Sequence, residues 1–120
     1  MEWKIDKSYP ICSQVSELVC LAIASGEYKK DNKIYSVREL AIILGVNPNT
    51  IQKAYEELEK KNIIHSIRGS GWYVSDNALE AKKIVEQIRV KKTKEYLKEM
   101  KQLGVCLNDV ILYVKKVGEV

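Results

Sequence analysis

The feature of this sequence that most restricts its fold is a pair of short helical segments separated by only a few residues. The first opens with Ser36-Val37-Arg38-Glu39. This is the spacing of a capping box, in which the Ser36 hydroxyl accepts from the Glu39 amide and the Glu39 carboxylate accepts from the Ser36 amide. Gly45 is a typical helix terminator. Apolar residues recur between them at the spacing of one helix face: Val37, Leu40, Ala41 and Leu44.

The second helical segment begins almost at once. Asn47 is a good N-cap and Pro48 a good first helical residue, and the pattern continues to about Lys61. Its apolar face again has helical spacing and consists of Ile51, Ala54, Tyr55 and Leu58. Two helices joined so closely, with glycine at the turn, predict a helix-turn-helix.

The segments on either side complete a small domain. An apolar helical pattern from Pro10 to Ser25 precedes the pair. After it, the β-branched run Ile63–Ile67 and the run Trp72–Val74 predict two strands. The turn between them, Arg68-Gly69-Ser70-Gly71, makes this a β-hairpin. A hairpin directly after a helix-turn-helix occupies the position of a wing.

The remaining residues predict two more helices. One extends from about Ala78 to Leu103, and the other from about Asn108, as a cap, to Val117. The apolar run in the last helix occupies more than one face, so it needs partners on more than one side. We therefore expect a two-helix dimerisation region, with contacts from Leu97, Met100, Leu103, Val110, Ile111 and Val114. The predicted fold is mainly α with a small β-hairpin, comprising a winged helix-turn-helix over 1–75 and a helical tail over 76–120.

Composition excludes several classes of protein. The three cysteines are an odd number without a C-x-x-C pair, which argues against a disulfide scaffold and a zinc ribbon. The lone His65 has no partners at metal-ligand spacing, and neither a nucleophile–base pair nor a phosphate loop is visible. We therefore expect no metal, no cofactor and no enzyme activity. Without a signal peptide or a long apolar run, a cytoplasmic protein with no membrane partner is expected.

Net charge alone does not identify the N-terminal part as the part that binds an anionic partner. The formal net charge is +4. Residues 1–75 have 10 Lys and Arg against 9 Asp and Glu, a net of +1, and residues 76–120 have 10 against 7, a net of +3. If the N-terminal part binds an anionic polymer, the binding must therefore come from the positions of individual side chains and not from the net charge.

The second helix of the pair has such a placement. Opposite its apolar face lie Asn49, Gln52, Lys53 and Glu56. Amides pair with adenine edges and Lys reaches guanine or phosphate, so this face is suited to the major groove of DNA. Arg38 and the wing residue Arg68 would add cations on either side. The alternative for each is an ordinary solvated surface residue.

Taken together, these segments resemble the GntR family of bacterial regulators. The stretches that carry the resemblance include Ile23–Glu27, Ser36–Ala41, Leu44–Ile51, Lys53–Glu59 and Arg68–Gly71. The short tail resembles the YtrA-type subfamily, in which two helices serve dimerisation. The chain departs from the family pattern at Lys30-Asp31, where Pro-Gly is usual, and at Tyr35, Ser70 and Trp72, where Pro, Lys and Thr are usual.

The resemblance implies a winged-helix repressor that binds a palindromic operator in double-stranded DNA as a homodimer and controls, by analogy, a transporter operon. The implied DNA-binding residues, with those of the face described above, are Ser36, Arg38, Asn47, Pro48, Asn49, Thr50, Gln52, Lys53, Arg68, Gly69, Ser70 and Gly71. A small-molecule effector is an open expectation: the basic run Arg89–Lys94 is either an anion site or a solvated face. The competing hypothesis is a winged helix used for protein–protein assembly.

Overall fold

In a computed structural model that describes residues 1–119, the chain forms helices and one hairpin in the predicted order. The elements are α1 (Ile11–Ala24), α2 (Val37–Leu44), α3 (Pro48–Lys60), β1 (Ile64–Ile67), β2 (Gly71–Val74), α4 (Ala78–Gln102) and α5 (Leu107–Gly118). Among these residues, no helix combines the length and apolar character needed to span a bilayer.

The first compact unit comprises Met1–Val85, and α3 is at its centre. Helix α3 packs against α1, α2 and β1. All four residues of its predicted apolar face are buried, as are Leu40, Ala41 and Leu44 of α2. The first turns of α4 complete this core through Ala81 and Val85. For that reason the division between units falls after Val85, whereas the sequence placed it after residue 75.

A third extended segment, not predicted from the sequence, lies beside the hairpin. In the hairpin, β1 and β2 are antiparallel, with Ile64 opposite Val74 and Ile67 opposite Gly71. Residues 31–34 run along the other edge of β2: the Ile34 amide donates to the Trp72 carbonyl at 3.0 Å, and the Asp31 amide donates to the Val74 carbonyl at 2.9 Å. The chain entering α2 is thereby joined to the wing.

The N-terminal segment also belongs to the first unit. Trp3 makes an edge-on contact with Tyr35, with ring centroids 5.5 Å apart, and a tilted contact with Tyr28 at 5.9 Å. Ile5 packs against the same core. The alternation of Trp3, the exposed Lys4 and Ile5 is the sequence signal for this segment.

The second unit begins at Glu86 and contains the rest of α4 and α5. The predicted cap of the last helix, Asn108, is wrong: the N-cap is Cys106, and Asn108 lies within α5. The reason is the tight turn at Gly104, whose φ is +80°, followed by a bond from the Val105 amide to the Met100 carbonyl. This turn reverses the chain early enough for α5 to begin at Leu107.

Candidate nucleic-acid interface

The start of α2 is held by the predicted capping box. The Glu39 amide donates to Ser36 Oγ at 3.0 Å, and the Ser36 amide donates to Glu39 Oε1 at 3.0 Å. These bonds from Ser36 hold the pKa of the Glu39 carboxyl below its usual value. Arg38 follows the cap and is exposed, and no carboxylate in residues 1–119 forms an ion pair with it. Its guanidinium is therefore available to an external anion.

The turn between α2 and α3 is formed as the sequence predicts. Gly45 is left-handed, with φ +67°, and ends α2. Asn47 caps α3 by accepting from the Asn49 amide at 2.8 Å, and Pro48 is the first helical residue. This bond uses one lone pair of Asn47 Oδ1, so the amino group and the second lone pair of the side-chain amide remain for a ligand.

Helix α3 has one buried face and one polar face. Asn47, Pro48, Asn49 and Lys53 are exposed, and Thr50 and Gln52 are half-buried. Gln52 Nε2 donates to Glu56 Oε1 at 3.0 Å, one turn further along the helix. This bond uses one of the two Nε2 hydrogens, so the other hydrogen and the Oε1 atom of Gln52 remain for a base. No large apolar side chain is exposed on this face among the described residues.

The wing ends in a tight turn of small residues. Arg68-Gly69-Ser70 joins the strands, with Gly69 at φ +78° and the Ser70 amide donating to the Ile67 carbonyl at 2.9 Å. The Ser70 and Tyr73 hydroxyls are hydrogen-bonded to each other, which holds the tip of the turn against β2. Arg68 is exposed, and no carboxylate in the part of the chain described here pairs with it.

Tyr55 connects the three parts of the candidate interface. Its hydroxyl donates to the Tyr35 carbonyl, just before the cap of α2, at 2.7 Å. Its ring meets Trp72 of β2 edge-on, with centroids 5.3 Å apart. Burial raises the pKa of the Tyr55 hydroxyl far above its usual value, so the hydroxyl stays protonated and remains a donor. The sequence placed Tyr55 in the core but did not reveal these links.

Lys33 is a second residue whose position the sequence did not reveal. It lies on the extended segment beside β2 and forms a bridge with Tyr73. A Cβ atom added to Gly71 would stand 3.0 Å from Lys33 Cε, so the lysine side chain passes directly over the wing glycine. The only sequence signal was the polar–apolar alternation of Lys33 and Ile34.

The lone histidine does not form a metal site. His65 Nδ1 lies 2.7 Å from Ser75 Oγ, and the ring stacks on Tyr73 at 6.1 Å between centroids. Within residues 1–119, no group of three or more His, Cys, Asp or Glu side chains is placed to hold a metal ion.

In the second unit, the predicted dimerisation residues divide into two groups. Val110 is 4% exposed and is the only buried residue of α5 in the part of the helix that the structure describes. Leu103, Ile111 and Val114 are 76%, 46% and 54% exposed, and Leu97 and Met100 are half-buried. An apolar groove of about 500 Å³ lies beside Val110 and is lined in part by Leu97 and Val105.

The basic run that could hold an anionic effector is exposed throughout. Arg89 Nη1 is 3.3 Å from Glu86 Oε2, so one of its cations already has a carboxylate partner. This arrangement is typical of a solvated helix face.

Comparison with known proteins places this geometry in a family. The model of bacterial regulatory proteins of the gntR family matches residues 12–74. The chain is 32% identical over 123 residues to the uncharacterized HTH-type transcriptional regulator YhcF of Bacillus subtilis (strain 168), covering 99% of this chain and 98% of YhcF. It is 41% identical over 93 residues to the HTH-type transcriptional repressor YtrA of the same organism, covering 78% of this chain and 69% of YtrA.

Solved structures agree with the sequence matches. A GntR family transcriptional regulator from Listeria monocytogenes superposes with a TM-score of 0.79 at 38% identity, covering 93% of this chain and 98% of that one. AraR(DBD) in complex with operator ORE1 superposes with a TM-score of 0.54 at 33% identity, covering 56% of this chain and 82% of that one. These matches confirm the predicted winged helix. The chain belongs to the GntR family of bacterial regulatory proteins, which are transcriptional regulators and not enzymes.

Proposed function

We propose that the protein is a sequence-specific transcriptional repressor of the YtrA type that binds a palindromic operator as a homodimer. The observation that carries this proposal is the polar front of α3. Asn49 and Lys53 are exposed there, whereas the apolar back of the same helix, including Ile51, is fully buried. A helix anchored in this way presents its first turns rigidly to the major groove, where amides and cations read base edges.

The groups on either side of α3 suit the DNA backbone. Arg38 at the start of α2 and Arg68 at the wing are exposed cations. Gly69 leaves the wing thin enough for a close approach to the minor groove, where an arginine can insert. The complex of the related AraR(DBD) with an operator supports the same use of this domain here. An assembly module would be expected to present apolar or acidic groups at residues 47–53.

The homodimer is supported by the second unit. Leu103, Ile111 and Val114 expose apolar surface that a soluble monomer would rarely leave uncovered. In a two-fold dimer, this apolar patch of one copy packs against the same patch of the second copy, so that both are covered. Two α3 helices would then enter major grooves about one helical turn apart, which requires a palindromic site. The assignment as a repressor, and the control of a transporter operon, rest on similarity to YtrA-type relatives.

A binding selection tests the sequence-specific part of this function. The full chain is incubated at low ionic strength with a library of random duplexes, and the bound sequences are recovered and compared. We expect a palindrome with half-sites about one helical turn apart. Recovered sequences without any shared motif would overturn the proposal and favour the assembly module.

Variants then test the assigned residues on the recovered site. Arg38→Ala and Thr50→Ala should each weaken binding by about 1–3 kcal/mol if they contact bases or desolvated phosphates. Lys82→Ala, on α4 and outside the candidate interface, is the control. Repression is tested by placing the palindrome at a reporter promoter, where the protein should lower expression. Equal gel-shift affinity of wild type, Arg38→Ala and Thr50→Ala would contradict the residue assignments.

A further inference from the structure

Lys7 lies at the turn between α2 and α3, although it comes from the segment before α1. The backbone of Asp6 is fixed on α1, since its amide donates to Gln14 Oε1 at 2.7 Å and its carbonyl accepts from Gln14 Nε2 at 2.8 Å. A Cβ atom added to Gly45 would stand 3.2 Å from Lys7 Nζ. The Lys7 ammonium group therefore lies next to Gly45, two residues before the N-cap of α3.

Lys33 has the corresponding position at the wing. Its backbone is fixed on β2 by the bridge to Tyr73, and its side chain crosses Gly71. Its charge also reaches α2, because Lys33 contributes to lowering the pKa of the Glu39 carboxyl. The ammonium group thus lies over Gly71 of the wing.

Both lysines are available to an external anion. Lys7 and Lys33 are exposed, and no carboxylate in residues 1–119 lies within ion-pair distance of either. Two other lysines of the same unit do have carboxylate partners: Lys30 Nζ lies 3.4 Å from Asp76 Oδ2, and Lys4 Nζ lies 3.2 Å from Glu2 Oε1. The glycines beneath Lys7 and Lys33 add no side chain that would separate the cation from an approaching backbone.

We propose that Lys7 and Lys33 bind DNA phosphates at the two ends of the candidate interface, one beside the α2–α3 turn and the other beside the wing. This inference rests on the proposed function. Lysine is a compact charge with a flexible stem, so it binds phosphate without the paired geometry needed to read a base. Two such contacts would hold the duplex in register against α3 while adding no sequence information.

The salt dependence of binding separates a phosphate contact from other roles. The full-length wild type, Lys7→Gln, Lys33→Gln and the double variant are titrated with the selected operator and with an unrelated duplex at several salt concentrations. Each substitution should lower the slope of log affinity against log salt by about 0.9. Affinity should fall on the order of fivefold per lysine at 0.15 M salt, which is what that slope implies. Both duplexes should weaken equally.

Two kinds of variant keep the interpretation specific. Lys7→Arg and Lys33→Arg retain the charge and should restore the wild-type slope, which a purely structural defect in the glutamine variants would not predict. Lys82→Gln removes a cation on α4, away from the interface, and should leave the slope unchanged. If Lys82→Gln lowers the slope and the affinity as much as Lys7→Gln and Lys33→Gln do, the effect comes from overall charge and the inference is overturned.

Failure of the inference is distinguishable from failure of the proposed function. If the slope and affinity of Lys7→Gln and Lys33→Gln match wild type while Arg38→Ala weakens operator binding, the phosphate contacts are refuted and the regulator remains. If the glutamine variants instead alter the selected base sequence, the phosphate assignment is refuted in favour of base contact. If the wild type prefers no duplex, both proposals fail.

Discussion

The Tyr55 hydroxyl donates a 2.7 Å hydrogen bond to the Tyr35 carbonyl and so ties the middle of α3 to the chain that enters α2. Because Tyr55 is 1% exposed, water cannot replace this donor. This buried side chain therefore adds to the packing that fixes the relative position of α2 and α3. The edge-on contact with Trp72 extends the same link to the wing.

The first prediction is that Tyr55→Phe destabilises the first unit while the ring remains packed. Losing the donor to the Tyr35 carbonyl should cost about 1–2 kcal/mol of the free energy of unfolding, measured with urea at pH 7. Tyr113→Phe, at an exposed position in α5, is the control and should be neutral. A Tyr55→Phe chain as stable as wild type would contradict the link.

The pH dependence follows from the raised pKa of the Tyr55 hydroxyl. Its folded-state pKa exceeds the unfolded value of about 10, so its contribution is fully present below pH 10 and is lost as pH rises beyond that. Wild-type stability should therefore decline above about pH 10, and Tyr55→Phe should decline less steeply. Parallel pH curves for the two proteins would contradict this assignment.

The second prediction concerns the cap of α2. Ser36→Ala removes the hydroxyl that accepts from the Glu39 amide and should cost about 1 kcal/mol in urea unfolding. The reciprocal carboxylate has a pKa below its usual 4.5, so its contribution is present above that value and is lost as pH falls. Glu39→Gln should therefore lose less stability than wild type between pH 6 and pH 3. Glu95→Gln, at an exposed position on α4, should follow wild type.

The elements predicted best from the sequence are those specified by neighbouring residues. The capping box at Ser36 and the Asn47-Pro48 start of α3 use partners two or three positions away, so a linear reading finds them. The buried face of α3 likewise follows from spacing alone. The candidate DNA-binding face could be inferred because a helix with one apolar face must present its other side chains outward.

The features that were missed depend on residues distant in the chain. Trp3 packs against Tyr28 and Tyr35, and Lys33 is placed by β2, some forty residues later. No local propensity marks such contacts. The cap of α5 was misplaced for a different reason: Asn108 is a better capping residue than Cys106, but the turn at Gly104 determines where the helix starts. The geometry of this local turn therefore outweighs the capping preference of Asn108.

The third prediction uses a strained residue in the loop before α2. Asp31 adopts φ +67°, a conformation that costs a residue with a Cβ atom about 1–2 kcal/mol. Its amide bond to the Val74 carbonyl does not involve the side chain. Asp31→Gly should therefore stabilise the protein by about 0.5–1 kcal/mol after the entropy cost of glycine. Asp31→Ala keeps the strain and should not stabilise, and equal melting temperatures for these two variants would contradict the explanation.

The fourth prediction concerns the thiols. Burial raises the pKa of Cys20 to about 11, whereas Cys106 is exposed at the start of α5. At pH 8 the Cys20 thiolate is only about a thousandth of the total, and the thiolate is the reactive form. Iodoacetamide should therefore label Cys106 first, and Cys20 only when the chain unfolds, as followed by mass spectrometry of peptides. Early labelling of Cys20 in the folded protein would contradict its placement in the core.

The fifth prediction separates the dimer interface from the interior of the second unit. Leu103 and Val114 are exposed, so Leu103→Glu and Val114→Glu should disrupt association without unfolding the chain. A two-fold interface contains each substitution twice. Each variant should therefore weaken the free energy of association by about 3–6 kcal/mol per dimer. Sedimentation at micromolar concentration should then show monomers. Val110→Ala should instead lower thermal stability, because Val110 is already buried within its own chain.

The matched control for the interface variants is Leu79→Glu, which changes a leucine of the first unit that is 64% exposed. It should leave the dimer intact, because Leu79 lies outside the predicted interface. Monomeric variants should also bind a palindromic operator more weakly while retaining contact with a single half-site, since each copy keeps its own α3. An unpaired glutamate buried in the interface would strongly disfavour association. If the Leu103→Glu and Val114→Glu proteins still sediment as dimers, another surface joins the two copies.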